Sequence, residues 1–268
     1  MKIVFVGAGN MAEAIVSGML KSQMAKSDEI CMTDISEERL NTVAEKYGVD
    51  TSLNTADVVQ SADVVVLSIK PQIFPAVWKE IAESINPTAL IVSIMAGVPA
   101  LKIEEGNLLR VVRVMPNTPS LVGEGAAGVA GGTRASEADL LWSEQLMGSV
   151  GLAVRVTERE LDAVTALSGS GPAYVFYWIE SMLEAVEQMG LEKDLSRELA
   201  LQTIIGAATL MKNSNESAEQ LRAKVTSKGG TTAAAIEEME KKGVKTSIIS
   251  ALFAARDRSI ELAEESKK

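Results

Sequence analysis

The N-terminal stretch constrains the fold more than any other part of the chain. Residues 2–6 (Lys-Ile-Val-Phe-Val) are β-branched and almost wholly apolar, as in a strand buried on both faces. Gly7-Ala8-Gly9 then turns the chain, and residues 11–21 read as a helix with Ala12, Ile15, Val16 and Met19 on one face. Strand, glycine turn and helix in that order are the context of a dinucleotide fingerprint. Gly7 permits the tight turn. Gly9 lets backbone N–H groups approach a pyrophosphate at the positive end of the helix, and Ala12 supplies the third small residue. The alternative is a plain strand-to-helix turn with no ligand.

Composition narrows the partners. A net charge of −10 argues against nucleic acid or an anionic membrane, so an anionic ligand must be held by local N–H groups and a few placed cations. The 268 residues contain one cysteine, Cys31, and no histidine. A disulfide framework within the chain is excluded, a reducing compartment is expected, and the commonest metal ligand and general acid/base are missing. No metal is expected. The first apolar run is broken by glycines and reads as neither a signal peptide nor a membrane span, so the expectation is a soluble cytoplasmic protein.

Further strands are expected at 29–33, near 49–51, and at 63–69, 89–94, 109–115 and 152–156. Helices are expected at 36–47, with Ser36 as cap, just after Asn54, at 73–85 and at 136–147. The glycine-dense segment 123–132 suits closely packed edge strands or loops. This alternation predicts a mostly parallel, doubly wound sheet over residues 1–157. Strand signals then vanish. Residues 158–268 read as an all-helical domain, with helices at 158–167, 173–189, 195–211, 217–225, 232–241 and 245–263. That layer is too apolar to stand half-exposed, so a dimer built through these helices is expected.

Candidate ligand residues sit where strands end. Asp34 closes the second strand and is placed for a ribose 2′-hydroxyl, favouring NAD, or it starts a turn; Ser36 and Arg39 would instead suit a 2′-phosphate, favouring NADP. Ser68 and Lys70-Pro71 stand at the end of the 63–69 strand. Ala96-Gly97 would let a flat ring approach the backbone. Asn117 offers an amide to a ring carboxamide, or forms an Asx turn. A second stretch, residues 225–232 (Val-Thr-Ser-Lys-Gly-Gly-Thr-Thr), ends one helix and opens another with N–H groups and hydroxyls exposed to an anion. A glycine C-cap followed by a threonine N-cap would explain it equally well. Residues 168–172 (Ser-Gly-Ser-Gly-Pro) read as a hinge or a site loop.

Gly7-Ala-Gly-Asn-Met-Ala12, Lys70-Pro71, Met115-Pro-Asn-Thr-Pro119, Leu167-Ser-Gly-Ser-Gly-Pro-Ala-Tyr174 and Lys228-Gly-Gly-Thr-Thr232, in this order, resemble the pyrroline-5-carboxylate reductases. The resemblance spans essentially the whole chain; Lys228 stands where a proline is common. It implies an N-terminal Rossmann domain, a helical domain forming an intertwined homodimer, sometimes assembled further, and reduction of L-1-pyrroline-5-carboxylate to L-proline. The cofactor implied is NADPH, with NADH possible because Asp34 is acidic. Its contacts are expected among Val6, Gly7, Ala8, Gly9, Asn10, Met11, Asp34, Ser36, Asn54, Ser68, Lys70, Pro71, Ala96, Gly97 and Asn117. Substrate is expected at the dimer interface against Gly229, Gly230, Thr231 and Thr232, with Ser170 and Glu124 lining the site. Thr232 is the expected catalytic donor to the ring nitrogen or carboxylate. Solvent can protonate an imine, so a histidine-free chain suits this chemistry. Two other readings share the architecture: a β-hydroxyacid dehydrogenase, disfavoured because residues 173–189 contain no lysine, and a cofactor-binding sensor without turnover.

Overall fold

The computed structural model of the chain describes residues 1–265. It opens with β1 (Ile3–Val6), α1 (Asn10–Lys21), β2 (Ile30–Thr33), α2 (Glu37–Tyr47), β3 (Asp50–Ser52) and the short α3 (Thr55–Val59). After β4 (Val64–Leu67), α4 (Phe74–Ile81) and β5 (Leu90–Ser93) come α5 (Ala100–Glu104), β6 (Arg110–Met115), β7 (Gly125–Gly131), α6 (Glu137–Gly148) and β8 (Gly151–Arg155). The strands form one sheet in the order β3-β2-β1-β4-β5-β6-β7-β8. Neighbours are parallel except β6 and β7, which run antiparallel. The strand order reverses at β1, which lies between β2 and β4, so the crevice for a ligand opens there.

Alternation along the strands explains why helices cover both faces. Ile3, Phe5, Val64, Val66, Leu90 and Val92 face one core with Ala12, Ile15, Val16 and Met19 of α1 and with Leu40 and Val43 of α2. Val4, Val6, Val65, Leu67 and Ile91 face the other, against Val59, Phe74, Ile81, Ala100 and Ile103. Each of these large aliphatic side chains contributes about 1.5–3 kcal/mol on burial, which is what a continuous valine and isoleucine run supplies to a two-sided sheet. Ser36 caps α2 by accepting from the Arg39 N–H, and Ser136 caps α6 in a reciprocal pair with Asp139.

Three local features depart from the expected elements. The helix expected at 73–85 is the shorter α4, which follows a 3₁₀ turn (Pro71–Ile73) and ends at Ile81. α5 was not expected; its five residues after Pro99 are too short to carry a helical period. The glycine-dense segment holds β7, an interior strand, and its glycines let the neighbouring turns close on it: a Cβ on Gly125 would lie 2.2 Å from the Ser120 hydroxyl.

By packing, the described chain forms one unit of residues 1–172 with 254–265 and a second of residues 173–253. In the first, the helical stretch after β8 is broken into a 3₁₀ turn (Glu158–Glu160), α7 (Leu161–Val164) and a π turn (Thr165–Gly169). The second is helical throughout: most of α8 (Gly171–Gln188), α9 (Lys193–Lys212), α10 (Ala218–Lys224), α11 (Thr231–Lys241) and the first part of α12 (Val244–Glu265). The remainder of α12 belongs to the sheet unit, where the Ser259 hydroxyl donates to Asp162 at 2.7 Å. Residues 266–268, part of the expected second domain, lie outside the described residues. In the helical unit, Phe176, Tyr177, Trp178, Leu199, Ile205 and Ile249 are exposed on the single chain. Among the described residues, no helix is long and apolar enough to cross a membrane.

Gly18 marks the closest approach of α1 to the end of α6. A Cβ there would lie 2.4 Å from Val150 and 2.8 Å from the Ser149 carbonyl oxygen. Gly18→Ala is therefore expected to cost about 1–3 kcal/mol through overpacking, despite the better helix propensity of alanine. Urea unfolding of the two proteins measures it; equal midpoints would show that the helix shifts freely.

Candidate functional site

The glycine turn after β1 is held from both sides. The Gly7 N–H donates to Thr33 O at 2.8 Å across β2, and the Ser68 N–H donates to Val6 O at 2.9 Å across β4. The Ser68 hydroxyl lies 2.8 Å from Gly7 O and 3.0 Å from Val6 O. Gly7 has φ +99°, and a Cβ on it would sit 2.8 Å from Ser68 O, so only glycine fits. Val6, Gly7 and Ala8 are buried, whereas Gly9 and Asn10 are exposed. Gly9 is the N-cap of α1, no side chain caps that helix, and a Cβ on Gly9 would meet nothing within 4 Å. The first N–H groups of α1 are thus open to an anion.

Gly9, Asn10, Met11, Ser68, Lys70, Pro71 and Ala96 line one cavity of about 320 Å³ at the carboxyl ends of β1, β4, β5 and β6. The same wall includes Ile69, Ile94 and Met95, which sequence reasoning did not single out, and Met115 and Pro116, which it named only within the Met115–Pro119 motif and not as ligand contacts. Their signal was available: each stands at or just beyond the end of a buried strand, on the side where a doubly wound sheet takes its ligand. The cavity is apolar on its β5 and β6 side and presents a helix start and the exposed Lys70 on the other. That combination suits an elongated ligand with a flat ring at one end and phosphate at the other.

Other expected contacts have different surroundings. Asp34 stands at the end of β2, with Oδ2 accepting from the Ala8 N–H at 2.9 Å and Oδ1 from the Ser36 N–H at 3.0 Å. Asn54 caps the chain's entry to α3 and its amide donates to Asp57 at 2.6 Å. Asn117 engages its amide within the protein. It is buried, its oxygen accepts from the Ala126 N–H at 2.8 Å, and its Nδ2 donates to Ser168 O at 3.0 Å. It clamps the β6 loop to β7 and to the π turn. Gly97 is buried with φ +68°, and a Cβ on it would lie 3.2 Å from Leu262. Ala96 alone of that pair lines the cavity.

Glu124 is exposed at the entry to β7, and the Ser170 N–H closes the π turn on Thr165 O at 2.8 Å. In the helical unit, Gly229 takes the left-handed conformation, with φ +74°, and Gly230 is the N-cap of α11. No side chain caps α11. A Cβ on Gly230 would lie 2.6 Å from the Ser227 hydroxyl and 3.2 Å from the Ser227 carbonyl oxygen, so the turn that presents Thr231 and Thr232 is tight at Gly230 and favours glycine at the left-handed Gly229. Thr231 is exposed and Thr232 half-buried. By contrast α2, α6, α9 and α10 each close their start with a side chain: Ser36, Ser136, Glu192 and Ser217.

Residues 158–262 match the family model described as pyrroline-5-carboxylate reductase dimerisation, and residues 2–97 match that described as NADP oxidoreductase, coenzyme F420-dependent. The chain is 41% identical to the pyrroline-5-carboxylate reductase of Pseudomonas aeruginosa, over 98% of this chain and 97% of that one. Among solved structures it is similar to a pyrroline-5-carboxylate reductase from Coxiella burnetii, with a TM-score of 0.91 and 39% identity over 98% of both chains. The Plasmodium falciparum pyrroline carboxylate reductase with NADP bound matches with a TM-score of 0.89 and 31% identity, again over 98% of both.

Behind the glycine turn, Glu13 of α1 accepts from Lys46 at 2.8 Å and from the Tyr47 hydroxyl at 2.9 Å, and pairs with Arg39. Hydrogen bonding from Lys46 above all, with Arg39 and Tyr47 adding to it against the opposing effect of burial, holds the Glu13 carboxyl down to about 2. A depressed folded-state value means that its stabilisation is complete above the ordinary value of 4.5 and is lost as pH falls toward 2. Glu13→Gln is expected to melt below wild type near neutral pH, with the gap closing over that acid range. A gap independent of pH would contradict the pairing.

Proposed function

The chain belongs to the pyrroline-5-carboxylate reductase family, and we propose that it reduces L-1-pyrroline-5-carboxylate to L-proline with NAD(P)H, the last step of proline biosynthesis. The observation that carries the reading is the pair of helix starts left without a side-chain cap on a glycine N-cap, α1 and α11. One opens on the sheet cavity and suits a pyrophosphate; the other suits a carboxylate.

The residues around the cavity fit a dinucleotide. Gly9 leaves room for a phosphate against the N–H groups of Asn10 and Met11, and Lys70 offsets its charge. Ile94, Ala96, Met115 and Pro116 give a flat ring an apolar wall and exclude water from one of its faces. When bound, the reduced dinucleotide supplies a hydride equivalent. Of the two N–H groups expected on the substrate carboxylate, Gly230 and Thr231, that of Gly230 already donates to Ser227 O at 3.0 Å, so the N–H groups of Thr231 and Thr232 would hold the carboxylate, and the Thr232 hydroxyl would donate near the ring nitrogen. Solvent protonates the imine before reduction, so the protein's task is orientation, and no histidine is needed. Ser170 and Glu124, both of the sheet unit, are weaker candidates for substrate contact.

A homodimer through residues 158–262 accounts for the apolar side chains left exposed on the helical unit. Its burial of Phe176, Tyr177 and Ile205 would be worth far more than any surface ion pair on these helices. The net charge of −10 speaks against nucleic acid, and we place the enzyme in the cytoplasm.

The test is oxidation of NADPH and of NADH in the presence of pyrroline-5-carboxylate, with proline identified as product. Thr232→Ala is expected to lose roughly tenfold to a hundredfold in kcat/KM, as for a donor aimed at the reacting groups. Gly9→Ala is expected to keep the wild-type Tm and to bind the dinucleotide at least about tenfold more weakly, because its methyl group meets ligand rather than protein. Formation of no proline with either cofactor would refute the assignment.

A further inference from the structure

The sheet unit carries both kinds of residue that distinguish the two nicotinamide cofactors, and the structure commits them differently. In a sheet of this order, an acidic side chain after the strand beside β1 accepts from the adenosine ribose 2′-hydroxyl, whereas an arginine nearby meets a 2′-phosphate. Asp34 occupies the first position. Its two oxygens each accept one backbone N–H, from Ala8 and from Ser36, which fixes the carboxylate against the glycine turn and leaves each oxygen a further acceptor site. The carboxylate is half-buried, so its charge is poorly screened.

Arg39 reaches that turn, and it is already engaged. Its Nε donates to the Ala8 carbonyl and its Nη2 pairs with Glu13. The same Glu13 carboxylate takes the Lys46 ammonium at 2.8 Å and the Tyr47 hydroxyl at 2.9 Å. One acidic residue on α1 therefore holds both cations that α2 brings to this corner, and its carboxyl stays ionised down to about pH 2.

We infer, on the premise of the reductase reading, that this chain selects NADH over NADPH and that Glu13 together with Asp34 sets the selection. A 2′-phosphate would meet Asp34 as a like charge and would have to take Arg39 from Glu13. A 2′-hydroxyl donates to Asp34 and disturbs neither pair. Glu13 is a positioning residue here: it acts through Arg39 and touches no part of the cofactor.

The experiment is calorimetric titration of the full-length protein with NADH and with NADPH, in the absence of the imine, beside Asp34→Ser, Glu13→Gln and the double variant Glu13→Gln/Arg39→Ala. Wild type is expected to bind NADH at least about tenfold more tightly than NADPH, the scale of a like-charge juxtaposition at a binding site. Asp34→Ser is expected to erase or invert that ratio. Glu13→Gln is expected to raise NADPH affinity several-fold without changing that for NADH, and removing Arg39 in the double variant is expected to cancel the gain. Equal or tighter binding of NADPH by wild type, or an unchanged ratio in Asp34→Ser, overturns the inference. Since Asp34 is tested independently of Glu13, a poorly folded Glu13→Gln does not protect the proposal. Selective NADH binding without proline formation overturns the reductase reading alone, and binding of neither cofactor overturns both.

Discussion

The carboxyl end of β1 must turn within three residues while its neighbours on both sides stay in register, and the rest of the sheet unit is arranged to permit this. Gly7 reaches across to Thr33 of β2, and Val6 accepts from Ser68 beyond β4. A side chain at Gly7 would strike the Ser68 carbonyl, so the tightness of the turn and the register of three parallel strands are one constraint. Asp34 completes it by accepting the Ala8 N–H. With the turn fixed, α1 starts where its free N–H groups face the crevice, and the cavity floor is built from the residues at the ends of β4, β5 and β6.

The sequence made this unit legible because its signals are local. Valine and isoleucine runs of strand length, a glycine pair before a helix, and Ser36 and Ser136 before acidic first turns each specify their element without reference to the rest of the fold. The strands expected at 63–69, 89–94 and 109–115 appear as β4, β5 and β6 with ends trimmed by a residue or two. The hidden part depends on distant partners. The antiparallel direction of β7 is set by pairing with β6, which its composition of glycine and alanine does not encode. The role of Asn117 is decided by Ala126 and Ser168, nine and fifty-one residues away. Gly97 answers to Leu262 at the far end of the chain. In both cases the tertiary contact comes from a part of the chain that the local sequence does not show.

The helical unit poses the opposite situation. Its helices are plain from their period, whereas the Gly229-Gly230 turn reads equally as an anion site or as a glycine C-cap before a threonine N-cap. Its surface is the informative part. Aromatic and aliphatic side chains exposed along α8, α9 and α12 make sense as half of an interface, which is the content of the dimerisation family that residues 158–262 match. On the proposed reading, a chain of net charge −10 holds its anionic ligands with helix starts and a few cations and assembles through apolar contact.

The central claim is that the sheet unit holds a reduced nicotinamide and that its hydrogen passes directly to the imine carbon of the substrate. The most direct measurement supplies the protein with pyrroline-5-carboxylate and NADH carrying deuterium at the transferable position of the nicotinamide, in ordinary water, and analyses the proline formed by mass spectrometry and NMR. Direct transfer places the deuterium on the δ-carbon of proline. Unlabelled proline, or label that has exchanged with solvent, would contradict the claim.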